Sequence, residues 1–558
     1  MSRIHFNKRR DFLKGAACMA ASGAASTFVP QLSMMGTALA QSAPTGYKAL
    51  VCIYLSGGND SWNLLIPGDN STPVPVTGRD PIAGQTATPY GWYVTSRGGQ
   101  FQGNAAALGL IRPGAPDAGT SFLPPALGIL GNQYGLNPAV PELQQLFNDG
   151  RLTFMANVGP LVEPLRRQGI NSFRRPPQLY SHNDQTSLWQ LGAGRAPGDP
   201  AGWGGRMAGR LLGAPPTNGL APCISISGQA KFLVGEYPSG QNLFPYRMST
   251  SSSSPSVTLG NYSGTGSEAG NRRRAALQEL LDVTYPQAFT GAYGEILDRS
   301  LGLASSVNGA ITGLTSGTNA TTYAAFNTAV AAIPNTSIGN QLRQVARMIA
   351  VSRLSGSPVQ ANRQVFYVST GGYDTHGGQI PAARPTNGVW NGHQGLLQQV
   401  AQAMKGFNDA LEALNGISGY SGVRNEVVTF TMSEFSRTIN SNGNGTDHAW
   451  GAVQMVMGAP ASQGGPLIGG QIYGRYPLQL LNRTYPGTQP DQYGECFNRG
   501  EFIPTMAVEQ MSATMARWMG ISNADLPLIF PNIDTFASAH PNQGVMAYNS
   551  RTVPFLAI

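Results

Sequence analysis

Ala49-Leu50-Val51-Cys52-Ile53-Tyr54-Leu55 runs without a charged residue and breaks at Ser56-Gly57-Gly58-Asn59-Asp60-Ser61. A short apolar run closed by turn residues reads as a strand buried on both faces, the pattern of a parallel sheet. Three later stretches repeat it. Leu152-Thr153-Phe154-Met155-Ala156-Asn157-Val158 stops at Gly159-Pro160, and Val365-Phe366-Tyr367-Val368 leads into Ser369-Thr370-Gly371-Gly372-Tyr373-Asp374. The last, Val427-Val428-Thr429-Phe430-Thr431, leads into Met432-Ser433-Glu434.

Helical stripes precede three of these runs. Val140, Leu143, Leu146 and Phe147 share one face and end at Gly150, while Leu342, Val345 and Ile349 share another. The longest stripe is Leu396, Leu397, Val400, Met404, Phe407, Leu411 and Leu414, and a late one runs from Val508 through Met511, Met515, Trp518 and Met519 to Gly520. Strands alternating with amphipathic helices predict an α/β fold, a mainly parallel central sheet with helices on both faces.

Composition agrees with that reading. Of 558 residues, 41% are hydrophobic, which excludes a disordered chain, while 71 Gly, 40 Pro and only 11% charged residues predict long, neutral, turn-rich loops. Residues 41–558 read as one domain, with a Ser/Gly-rich surface insertion at 249–270. The net charge of +8 is concentrated at the start: residues 1–40 hold five Lys/Arg and one acid, leaving 31 bases against 27 acids. Arg272-Arg273-Arg274 reads as part of a solvated loop, and nucleic-acid binding is disfavoured.

Lys8-Arg9-Arg10-Asp11-Phe12-Leu13-Lys14 has the twin-arginine export pattern, and Ala38-Leu39-Ala40 is a small-x-small cleavage site before Gln41. Pro30 and the interspersed Gly and Ser argue against a stable membrane span. The expected destination is the periplasm or beyond, reached through the twin-arginine translocase. After cleavage Cys52, Cys223 and Cys496 remain without a CxxC pair, so buried thiols are expected rather than a disulfide framework.

In an open parallel sheet, ligands bind outside the carboxyl ends of the strands. Asp60, Asp374, His376 and Glu434 all follow such ends, and a Gly/Asn-rich loop from Asn442 to Thr446 delivers Asp447-His448. Oxygen and imidazole groups gathered there would suit a divalent metal of intermediate hardness. A single Asp-x-His is more often a loop brace, but several on successive strand ends point to a site. His393 reads as a core histidine at a helix start, and His540 as exposed.

These motifs resemble a known family. Tyr54-Leu55-Ser56-Gly57-Gly58-Asn59-Asp60, Gly372-Tyr373-Asp374-Thr375-His376, Ser433-Glu434-Phe435-Ser436-Arg437-Thr438 and Gly445-Thr446-Asp447-His448-Ala449-Trp450-Gly451 are similar to the DUF1501 proteins. That family is grouped with the alkaline phosphatase and sulfatase superfamily. The resemblance implies an alkaline-phosphatase-like fold and one metal ion (zinc, manganese or calcium) held by Asp60, Asp374, His376, Glu434 and His448. It also implies a nucleophile at a helix start, where Ser181 stands in Tyr180-Ser181-His182-Asn183-Asp184. Ser181 reads equally as a helix cap, and His182 as an aid to metal or substrate binding. Arg437, with Arg166, Arg167, Arg174 and Arg175, either clamps an anionic group or braces loops. Phe435 stands where the superfamily has a histidine ligand, which leaves one metal rather than two.

The expectation is an exported metal-dependent hydrolase of phosphate or sulfate esters, acting on a small anionic ester or a glycan-linked substrate. The competing expectation is a secreted binding or envelope-assembly protein that kept the fold without catalysis.

Overall fold

The computed structural model describes residues 46–69, 88–251 apart from 105, 118, 120–122 and 197, then 268–281, 288–380, 384–479, 481 and 496–558. The expected export signal, residues 1–40, and the centre of the Ser/Gly-rich stretch lie outside these residues. The core is a twisted sheet of nine strands. In chain order they are β1 (Lys48–Leu55), β2 (Leu152–Gly159), β3 (Cys223–Ser225), β4 (Tyr246–Arg247), β5 (Arg363–Thr370), β6 (Val427–Met432), β7 (Ala452–Gly458), β8 (Ile472–Gly474) and β9 (Met506–Ala507). Across the sheet the order is β8-β2-β7-β6-β1-β5-β3-β4, with β9 alongside β2.

All four apolar runs form the expected strands, and all four point the same way. β1 pairs in parallel with β5, from Lys48 opposite Arg363 to Leu55 opposite Thr370, and with β6 on its other edge. β7 alone runs antiparallel, between β6 and β2, so the sheet is mixed though mostly parallel.

Alternate residues of β1 enter opposite layers, as the pleat requires. Ala49, Val51, Ile53 and Leu55 pack with one group of buried residues, which includes Leu342, Val345, Leu397, Val400 and Met404. Leu50, Cys52 and Tyr54 pack with another, which includes Trp203, Met207, Met511 and Met515. Each fully buried Leu, Val or Ile stabilises the fold by roughly 1.5–3 kcal/mol.

The helices on these faces are α1 (Pro141–Asn148), α2 (His182–Leu191), α3 (Trp203–Leu212), α4 (Ser337–Arg353), α5 (Gly392–Asn415) and α6 (Val508–Met519). Their ends follow local chemistry. Thr336 caps α4 by accepting the Gly339 N–H, and α6 stops where Gly520 turns left-handed at φ 118°. Two further helices, Glu268–Leu281 and Ala288–Gly313, stand where no helix was expected. Arg272, Arg273 and Arg274 therefore lie on a helix, Arg272 and Arg273 exposed, and not in a loop. Among the described residues no helix is long and apolar enough to cross a membrane. Cys52, Cys223 and Cys496 are buried and free, as expected.

Candidate metal centre

The carboxyl ends of the adjacent strands β5, β1 and β6 carry the loops that build the site. Two glycines let these loops close on one another. Gly57, at φ 119°, lies so near the next loop that a Cβ would sit 2.3 Å from the Asp374 nitrogen. Gly58, at φ 80°, leaves room for the Phe435 ring. Side chains at both positions would be strained and would clash.

Asp374 is the centre of the cluster and is 46% exposed. Its Oδ1 lies 3.2 Å from His448 Nε2 and 3.2 Å from His376 Nε2, and its Oδ2 lies 3.5 Å from His182 Nε2. His376 and His448 place their Nε2 atoms 2.9 Å from each other. His182, Asp374 and His448 offer ligand atoms that all lie within 4.8 Å of one another, a spacing that suits a metal ion.

Each imidazole is held from behind through its other nitrogen. His448 Nδ1 lies 2.8 Å from the Tyr180 carbonyl, which can only accept, so this nitrogen donates. His376 Nδ1 lies 2.9 Å from Asp447 Oδ1. Burial pushes the Asp447 carboxyl up, but hydrogen bonds from Asn442, His376 and Arg499 outweigh it and hold the group at about 2. An ionised Asp447 accepts, so His376 also donates through Nδ1. His182 opens α2, and its Nδ1 lies 2.8 Å from Oε1 of the buried Glu434. With both Nδ1 atoms donating, His376 and His448 are left to meet through their Nε2 atoms at 2.9 Å, a contact that a shared proton or a cation between them would satisfy.

Electrostatics separate the rings. The Glu434 hydrogen bond raises the His182 pKa against the opposing effect of burial. Burial lowers that of His448, despite the Tyr180 carbonyl. Burial alone would raise the Asp374 carboxyl, yet the hydrogen bond and charge of Arg437, helped by His182 and His376, hold it below its ordinary value. Phe435 forms an apolar backing, its ring centre 4.9 Å from that of His182 and 4.7 Å from that of His448.

The structure thus brings together Asp374, His376 and His448 from the expected set and adds His182. The other expected ligands stand behind or beside the cluster. Glu434 accepts the Gly57 N–H at 2.7 Å and the Tyr54 hydroxyl at 3.0 Å as well as holding His182, so its oxygens are committed to support. Asp60 is fully buried, with one oxygen 2.6 Å from Arg97 Nη2 and the other accepting from Gln379. Gln379 also meets Thr446, which Arg437 contacts, so Asp60 joins the buried network beneath the site.

Arg437 is also fully buried. It gives Nη1 to Asp374 at 2.7 Å and to the Gly57 carbonyl at 3.2 Å, and Nη2 to the Thr446 carbonyl, so it orients Asp374 and presents no open fork. Ser181 caps α2, accepting the Asp184 N–H and donating to the Asp184 carboxylate at 2.7 Å. Arg167 and Arg174 brace loops through the Cys496 carbonyl, Asn498 and Glu163. His393 is a buried histidine in the first turn of α5, as expected, whereas His540 is half-buried beside Phe173.

Residues 240–482 match the family DUF1501, a protein of unknown function. The match takes in Asp374, His376, Glu434 and His448 and supports the family resemblance of the strand-end motifs. His182 lies ahead of the matched region. No curated protein matches the chain.

Proposed function

We propose that this chain is an exported hydrolase of phosphate or sulfate esters that works with one divalent metal ion held by His182, Asp374, His376 and His448. The observation that carries the reading is the convergence of three Nε2 atoms on Asp374 while each Nδ1 is anchored behind. Three imidazoles and one carboxylate suit zinc or manganese better than calcium, which prefers an all-oxygen shell. A divalent ion there would supply Lewis acidity, drawing charge from an ester oxygen.

The protein's own groups fix the geometry for that chemistry. Glu434, Asp447 and the Tyr180 carbonyl set the imidazole tautomers, Arg437 orients Asp374, and Phe435 keeps water from the back of the rings. With Ser181 committed to its cap, attack on the ester falls to water. The alkaline-phosphatase-like grouping rests on the resemblance of the strand-end motifs, and export on the twin-arginine pattern at residues 8–14.

Elemental analysis of the untagged mature protein tests this reading, together with turnover of p-nitrophenyl phosphate and p-nitrophenyl sulfate. The expected result is about one ion per chain and turnover abolished by chelator, both lost in His448→Ala. Absence of bound metal, with no thermal stabilisation by added zinc or manganese, would end it. The engagement of Ser181 and Arg437 favours a second reading, a metal-stabilised binding or envelope-assembly protein. Stoichiometric metal without turnover would select that one.

A further inference from the structure

We infer that Glu509 is a positioning residue for the metal centre: together with Asn532 it fastens both ends of the excursion 161–194, which carries the Tyr180 carbonyl and His182 to the strand ends. This inference rests on the metal reading above. Glu509 lies in the first turn of α6, is fully buried and takes no part in the cluster itself. Its Oε1 accepts the Ala193 and Gly194 N–H groups, just past the end of α2. Asn532 holds the start of the same excursion, giving Nδ2 to the Leu161 carbonyl at 3.0 Å and the Val162 carbonyl at 3.3 Å.

The two ends meet at Gly194. Its N–H faces Glu509, and a Cβ there would sit 2.5 Å from Asn532 Oδ1. His182 opens α2, and the anchored N–H groups follow that helix's last turn. A helix of this length moves as one body, so freedom at its far end reaches the imidazole.

One proton completes the node. Glu509 Oε2 and Asn532 Oδ1 are both buried, and neither has a hydrogen-bond partner among the described residues. Two such acceptors are satisfied together when the carboxyl keeps its proton and donates to the amide oxygen. Burial favours that state, raising the Glu509 pKa to about 7 against the Ala193 and Gly194 N–H groups and the Asn532 amide. Arg206 faces Glu509 from α3, and its guanidinium is committed to the Ala201, Leu191 and Ile529 carbonyls. Below pH 7 the proton closes the bridge to Asn532. As pH rises through 7 the proton leaves, Oε2 and Oδ1 repel, and the hold on α2 loosens.

The test measures zinc affinity of the full mature protein by competition with a chelator from pH 6 to pH 8. It compares wild type with Glu509→Gln, and repeats the comparison in an Asn532→Ala background. Glutamine accepts the two N–H groups and donates to Asn532 at every pH, so it copies the protonated acid. Taking the ratio of the two affinities cancels the titration of the histidines that both proteins share. The expected ratio is one at pH 6, rising to an advantage of about threefold or more for Glu509→Gln at pH 8, as one hydrogen bond predicts. With Asn532→Ala the advantage should vanish. Circular dichroism at each pH separates loss of fold from loss of affinity, and if Asn532→Ala does not fold, the first comparison decides alone. A flat ratio, with wild type still binding zinc, would show Glu509 to support the fold only, overturning the inference and leaving the metal reading intact. An advantage that persists without Asn532 would overturn it too. No zinc uptake by wild type at any pH would sink both.

Discussion

Asp60 and Asp374 begin from nearly the same position and end in opposite circumstances. β1 and β5 lie side by side in register, each ends in a glycine-bearing loop, and the loops touch where the Tyr373 N–H reaches the Ser56 carbonyl at 3.2 Å. Arg97, at the end of the helix Pro89–Ser96, covers Asp60, and both side chains have no exposure. Asp374 meets its own arginine through Oδ1, which His376 and His448 also approach at 3.2 Å, and it stays partly exposed with Oδ2 toward His182. The same residue type at equivalent strand ends thus becomes an internal counter-charge in one loop and, in the next, a partly exposed group among three histidines. The covering guanidinium makes the difference.

The largest effects should break this comparison outright. Asp60→Asn strands Arg97 as a buried unpaired charge and should destabilise the fold by about 3 to 5 kcal/mol, read by denaturant unfolding, while metal content at saturation stays normal. Asp374→Asn should instead abolish metal uptake, with a smaller loss of stability in the metal-free protein, because the partner Arg437 keeps the Gly57 and Thr446 carbonyls and Asp374 is partly exposed. If the two variants behaved alike, the assignment of distinct roles would fall.

Two buried groups away from the centre should set the pH dependence of the metal-free fold. His393 donates to Asn59 Oδ1 at 2.8 Å, and burial depresses its pKa to about 4. Unfolding therefore takes up a proton below pH ~6.5, so stability falls as pH drops toward 4, by about 3 kcal/mol at most. Glu509 accepts from the Ala193 and Gly194 N–H groups, and burial raises its pKa to about 7. Its contribution has the other sign, full below pH ~4.5 and lost as pH rises through 7, by a similar amount. Thermal melts across pH 4–8 should show His393→Gln flattening the acid limb and Glu509→Gln the neutral one.

A smaller change tests the groups behind the rings. Glu434→Gln preserves shape but weakens the hold on His182, and should cost about 10–100-fold in metal affinity by competition with a chelator. The smallest effect belongs to Ser181→Ala. Loss of the cap should cost about 1 kcal/mol of stability with turnover largely kept. Turnover reduced to background would make Ser181 the nucleophile after all.

The parallel strands were legible because continuous apolar runs ending in glycine have few other readings. The run Ala452-Val453-Gln454-Met455-Val456-Met457 belongs to the same sheet, but composition does not encode direction, and β7 enters antiparallel. The helices around 268–313 were hidden by low amphipathicity and by the Ser/Gly-rich stretch before them. At the site, strand ends pointed to Asp374, His376 and Glu434, but their division into metal-facing and supporting groups depends on distances no sequence prints. His182 lies 252 residues from its anchor Glu434. Its only local signal is a histidine next to a capping serine, which ordinary helix starts also show.

That separation has a kinetic consequence. His182, Asp374 and His448 meet only after β1, β5 and β6 have aligned and α2 has docked over their ends, so the cluster closes late in folding. Interactions formed after the rate-limiting step slow the escape from the native state without hastening arrival. An ion seated among these residues would lengthen the lifetime of the folded protein far more than it would speed refolding. Once loaded, the chain would stay folded far longer than its metal-free form under the same conditions.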